Sequence, residues 1–171
     1  MKIYDKTILA IALVSILALL GRVGFAMGND SVRADVKVVR SLYEKFAGDA
    51  VLEDPLPQKD LLEQSRVVLL RYFTPELSSL ILRDRDCAAR NQGICGLDFS
   101  PIWDSQDPTG VTVKMTGESA LGQVHVTVRY PNGEKRDLVF RLIKTNAGWR
   151  IIDIIYSGDR QTLSQILKAE P

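Results

Sequence analysis

Residues 148–158 read GWRIIDIIYSG, and this stretch decides the fold. From Trp149 to Tyr156 the chain is mostly isoleucine and aromatic, the residue types that suit a pleated, buried surface. Gly148 opens the run and Ser157-Gly158 closes it, so it reads as one strand. Strict alternation puts Trp149, Ile151, Asp153 and Ile155 on one face and Arg150, Ile152, Ile154 and Tyr156 on the other. Both faces are mainly apolar, which predicts a central strand covered on both sides. Asp153 is the exception inside this run. It is either an acid or base whose pKa burial raises, or a hydrogen-bonded partner for an arginine or for the backbone at a helix start. The expectation is the second, with Trp149 and Ile151 packed in the main core and Asp153 facing the same interior.

Upstream, period two continues. Val111, Val113 and Met115 alternate with polar residues, then Val124, Val126, Val128 and Tyr130, then Leu138, Phe140 and Leu142. Asn132-Gly133 and the TNAG stretch at 145–148 supply tight turns. Four strands with short connections predict an antiparallel meander. The segment before them has a helical period. Val32, Val36, Val39, Tyr43 and Phe46 form one apolar stripe, with Asp30 or Ser31 as cap and Gly48 as terminator. Pro55 and Pro57 stiffen a linker over 51–60. LLEQSRVVLLRYF, residues 61–73, predicts a second helix. Thr74-Pro75 starts a third as N-cap and first helical residue, running to about Cys87. The RDRD run at 83–86 reads as a solvated helix face, and LDFSPIWDSQDPTG, 97–110, as irregular. TLSQILKAE closes the chain as a short helix or single turn. Helices first and strands afterwards make an α+β domain, with N-terminal helices packed on one face of the sheet.

The start of the chain points to export. Lys2 and Lys6 precede an uncharged run of 15 residues, Thr7 to Gly21, and Gly24-Phe25-Ala26 offers small residues at a cleavage site. The run is shorter than the roughly 20 residues that span a bilayer. Residues 1–26 are therefore expected to be a signal peptide, with an uncleaved inner-membrane anchor as the alternative because of Arg22, and 27–171 to be one domain. Cleavage takes away Lys2, Lys6, Arg22 and Asp5 and moves the net charge from +1 to −1. That balance argues against nucleic acid as a partner. Cys87 and Cys95 are the only two cysteines, and an even pair in an exported chain reads as a disulfide, with Asn91-Gln92-Gly93 as the turn between them. A redox pair favours C-x-x-C, and a zinc site wants two more ligands. The expected location is periplasmic or secreted.

The segments VVRSLYEKF, LDFSPIWDSQD and GWRIIDIIYSGDRQTLSQIL carry a family likeness. In this order and spacing they resemble the cone-shaped, cystatin-like α+β superfamily of nuclear transport factor 2. Within it, residues 34–168 resemble a bacterial exported domain-of-unknown-function family, number 3828. That family often has Asp-Pro where this chain has Ser100-Pro101; Gln106-Asp107 and Trp149 to Asp153 follow its pattern. The resemblance implies helices on a curved four-stranded antiparallel sheet and a short C-terminal helix. The superfamily hosts isomerases, dehydratases, binding modules and scaffolds, so activity does not follow from it.

Candidate chemistry is sparse. His125 is the sole histidine, on the face of its strand opposite the valines, and with Asp153 it would make a general-base pair. Tyr156 is a further pocket candidate. Asp98, Asp104 and Asp107 carry oxygens for a hard cation, but their spacing misses the calcium-loop pattern. No nucleophile elbow or phosphate loop occurs in the sequence. No cofactor or metal is expected. Three functions stay open: a non-catalytic module binding a small ligand or partner protein, a periplasmic immunity-type protein that neutralises a delivered toxin, and a small-pocket isomerase or dehydratase built on Asp153 with His125 or Tyr156. The first is the expectation. Membrane contact is expected only through the N-terminal segment, if it is uncleaved.

Overall fold

The computed structural model describes residues 33–46, 60–117, 121–158 and 161–169. Residues 1–26, expected to be a signal peptide or anchor, both candidate caps of the first helix, Gly48 and nearly all of the proline linker lie outside the described residues. The chain divides into units of residues 1–31 and 32–171, and every element below belongs to the second.

The sheet is an open, curved antiparallel meander in the order β1-β2-β3-β4: Thr112–Gly117, Gln123–Arg129, Lys135–Thr145 and Gly148–Tyr156. Gly133 (φ 87°) turns β2 into β3, where the Tyr130 N–H donates to Glu134 O at 2.9 Å. The alternation legible in the sequence is the burial pattern. Val124, Val126 and Val128 pair across to Phe140, Leu138 and Arg136, and all but Arg136 are buried. Helix α1 (Ala34–Phe46) contributes Val36, Val39, Leu42, Tyr43 and Phe46 to the same core. Its valines lower helix propensity by a few tenths of a kcal/mol each, whereas each buried side chain returns about 1.5–3 kcal/mol, so packing decides the conformation.

Three sequence expectations need correction. The helix expected over 61–73 is broken. A 3₁₀ turn (Leu61–Glu63) is followed by Gln64 and Ser65 in extended conformation and by a single turn, α2 (Arg66–Leu69). The extended Gln64 offers its carbonyl to Arg85 Nη1 (3.0 Å). Beyond α2, Tyr72 to Thr74 run alongside β4: Ile151 N donates to Tyr72 O (2.8 Å) and Thr74 N to Ile151 O (3.0 Å). Pairing with the sheet overrides the helical period.

The second correction concerns β4, which is the last strand of the sheet rather than a central one. Its outer side is covered by Phe73 and, further on, by Thr162, which bridges Ile155. A register shift lies between Arg141 and Leu142, which face Asp153 and Ile151. Ile152 is thus an extra residue, and it reverses the alternation. Ile151, Ile154 and Tyr156 face the core-side residues Leu142, Phe140 and Leu138, whereas Asp153 faces the exposed Arg141. Asp153 therefore does not share a face with Ile151. Trp149 packs at the rim of the core, half-buried.

The third is the RDRD run. Helix α3 (Pro75–Asn91) is capped by Thr74 as expected, but continues past Cys87 until Gln92 adopts φ 53°. Asp84 in that run is buried, and its Oδ1 accepts the N–H groups of Gly96 (2.6 Å) and Leu97 (3.3 Å). Cys87 and Cys95 form a disulfide with Cα atoms 6.1 Å apart, so Asp84 and the disulfide together fold the 92–97 segment back onto α3. Opening so short a ring by Cys95→Ala should cost about 2–3 kcal/mol, read as a lower midpoint in denaturant unfolding under oxidising conditions.

Candidate functional site

Asp153 holds the C-terminal helix. This is the single turn α4 (Leu163–Ile166), whose N-cap Thr162 forms a capping box with Gln165. Asp153 Oδ1 accepts from Ser164 N (3.0 Å) and Ile154 N (3.0 Å), and Oδ2 accepts from Ser164 Oγ (2.8 Å). Both carboxylate oxygens are engaged, and the partners are backbone at a helix start. Asp153→Asn should keep the fold, since an amide oxygen still accepts the N–H bonds, while Asp153→Leu should cost about 1–3 kcal/mol by orphaning them. Urea unfolding of the two variants separates this role from a chemical one: an Asn variant as stable as wild type but stripped of a binding or turnover phenotype would assign chemistry to the carboxylate.

The three pocket candidates are not brought together. His125 sits on β2, with Thr116 and Val139 as its cross-strand neighbours. It is two strands from β4, about 10 Å at the usual spacing. Tyr156 lies on the core side, its hydroxyl donating to Pro101 O at 3.1 Å. Burial, with smaller contributions from Asp104, Tyr43 and Asp153, pushes the Tyr156 hydroxyl well above its ordinary range, so it stays a protonated donor. The acidic trio is likewise dispersed. Asp98 accepts from Gln106 Nε2 (3.3 Å), Asp107 accepts from Thr109 N (3.1 Å), and no cluster of three metal-binding side chains occurs among the described residues.

A feature that sequence reasoning missed surrounds Tyr156. Three tyrosine hydroxyls hold three successive carbonyls of the irregular segment: Tyr156 binds Pro101 O, Tyr43 from α1 binds Ile102 O, and Tyr130 binds Trp103 O at 2.8 Å. The Tyr43 ring also meets Trp103 edge-on, with centroids 5.0 Å apart. Ser100 N donates to Ser105 O (2.9 Å), closing the loop, and Asp104 at its tip takes φ 54°. A loop whose backbone is fixed from three elements is preorganised. Tyr43→Phe leaves the buried Ile102 carbonyl unpaired and should cost about 1–3 kcal/mol in thermal or chemical unfolding.

The clamped loop borders a cleft of about 190 Å³, lined by Phe99, Asp104, Arg136, Tyr156, Ser157 and Gln161 among others. Arg136 pairs with Glu134 through Nη2 (2.7 Å), yet its Nε is buried with no hydrogen-bond partner. Phe99 stacks edge-on against Tyr156 (5.4 Å) and gives the cleft an apolar wall. A signal for Arg136 existed in the sequence: it occupies the same alternation register as Leu138, Phe140 and Leu142, where an apolar residue is expected.

No protein-family model matches the chain, and no curated protein does. Among solved structures, the chain is similar to a phospholipid-binding protein from Ralstonia solanacearum, solved in complex with a phospholipid. The two share 22% sequence identity over 79% of this chain and 69% of the other, with a TM-score of 0.35. A likeness at that level assigns neither a fold family nor a ligand to this chain.

Proposed function

We propose that this protein is an exported, non-catalytic binding module of the nuclear transport factor 2-like kind, taking a small ligand with an anionic or strongly accepting group in the cleft at Arg136. The observation that carries the reading is Arg136 on the wall of a cleft whose loop is held in place, with its Nε buried and without a hydrogen-bond partner. A buried donor without an acceptor costs about 1–3 kcal/mol, which a bound carboxylate or phosphate oxygen would recover. Phe99 and the Tyr156 ring would cover an apolar portion of the ligand. Binding is favoured over turnover because both oxygens of Asp153 are engaged in hydrogen bonds, Tyr156 is held as a donor and His125 stands two strands away. The disulfide supports an oxidising compartment. No helix among the described residues is long and apolar enough to cross a membrane. The order of α1, clamped loop, β4 and α4 supports the family resemblance of residues 34–168.

The test is an NMR titration of the purified protein with a panel of small carboxylates and phosphates. Perturbation of the Arg136 Nε–H and the Ser157 and Gly158 amides, absent in Arg136→Gln, is expected. A panel that moves none of these signals would sink the cleft as the ligand site.

A further inference from the structure

The side of the sheet opposite the valine core carries its own charge pattern. Two cross-strand rows stand next to each other there: Thr112, Arg129 and Lys135, and Lys114, Thr127 and Asp137. Together they line a groove of about 340 Å³. Lys114, Arg129 and Lys135 are exposed, and none of them takes part in an ion pair or side-chain hydrogen bond. Among the described residues that line the groove Asp137 is the one carboxylate, and it accepts from Thr127 Oγ1 at 2.6 Å.

Composition does not account for this cluster. The chain has 22 basic and 21 acidic residues, so an unbiased surface would intersperse the signs. Three arginines do have carboxylate partners, Arg33 with Asp35, Arg85 with Asp86 and Arg136 with Glu134, while others such as Arg71 and Arg83 have none among the described residues; what sets this face apart is the placement of its cations. On this face Arg129 and Lys135 are directly opposite each other. Like charges in that position destabilise a sheet, whereas an opposite pair would solvate the surface equally well and add stability. The cost is one that solubility alone does not require.

We propose that this sheet face docks an acidic segment of a partner protein. The groove itself is lined by threonines, charged groups and the half-buried Val113, so within it there is no aromatic platform for stacked bases and no large exposed apolar side chain to enter a bilayer. Asp137 within the cationic groove repels a densely charged polymer and favours carboxylates spaced along a peptide. The face lies across the sheet from the core, and the proposal does not depend on the Arg136 cleft or its ligand.

The probe is a fluorescein-labelled peptide of alternating glutamate and glycine, measured by polarisation in about 150 mM salt, where only clustered charge still attracts. The peptide should bind, and added salt should weaken it. Lys135→Glu should reduce affinity about tenfold or more, while Lys37→Glu, the same charge change at an exposed position of α1, should leave it unchanged. Lys135→Glu should also raise the thermal midpoint of the free protein, since it turns the Arg129 repulsion into a pair. A merely structural surface would not link weaker binding to higher stability. Absent peptide binding, equal loss in both variants, or a midpoint that fails to rise would each overturn the proposal. So would tighter binding to phosphatidylglycerol vesicles than to the peptide, which would assign the face to membranes.

Discussion

Asp35→Ala should lower the unfolding free energy by about 2–4 kcal/mol. Asp35 lies in the first turn of α1 with no exposed surface. Its Oδ2 accepts from Gly122 N (2.9 Å) and from Arg33 Nη2, and its Oδ1 from Val36 N (3.0 Å) and Arg33 Nε (3.1 Å). Alanine would orphan the Gly122 N–H and cut the link between α1 and the residue that leads into β2. Arg33 is partly exposed and regains water, which keeps the loss below that of a fully buried pair. Asp35→Asn should cost less, since it retains an acceptor for Gly122. Burial by itself would raise the Asp35 pKa, but the bonds from Arg33, Gly122 and Val36 outweigh it and hold the carboxyl below its ordinary value. A lowered folded-state pKa stabilises the native state in full above the unfolded value, about 4, and the contribution fades as pH falls from there through the folded value. Wild type should therefore lose stability on acidification below about pH 4 more steeply than Asp35→Asn, measured as denaturation midpoints across that range.

Gly122→Ala should be comparably severe, at about 2–4 kcal/mol. Gly122 has φ 87°, where a side chain is strained, and a Cβ there would stand 2.6 Å from the backbone oxygen of Leu142. That oxygen cannot move aside, because Leu142 N donates to Gly122 O at 2.8 Å beside the β3–β4 register shift. The two substitutions act on one junction, so the Asp35→Ala, Gly122→Ala double variant should lose less than the sum of its singles. Additive losses in a double-mutant cycle would mean that the Asp35–Gly122 bond contributes little.

The meander over β1 to β4 was legible because its signal is local. One face of β2 and β3 is buried, and a period of two records that directly in Val124 to Val128 and Leu138 to Leu142. The α1 stripe, the Thr74-Pro75 helix start and the Cys87–Cys95 pair were legible for the same reason: each lies within one element or a few residues of its partner; for Asp153 the sequence left an arginine or a helix start open, and the fold supplied Ser164, eleven residues on. The tertiary structure alone decided the features whose partners are distant in sequence. Helix 61–73 broke because Gln64 serves Arg85 and Tyr72 serves Ile151. β4 became an edge strand whose outer edge is covered by Phe73 and Thr162, and one extra residue, Ile152, reversed the face of Asp153. Asp35 shares the helical spacing of Val39, Leu42 and Phe46, so its burial was hinted at, but only the Gly122 N–H makes a buried carboxylate affordable there. The clamped loop is the clearest case. Tyr43, Tyr130 and Tyr156 read individually as apolar positions of a helix and two strands, and only packing brings their three hydroxyls onto the consecutive carbonyls of residues 101–103, because a hydrogen-bond partner is chosen by proximity in space and not by spacing along the chain.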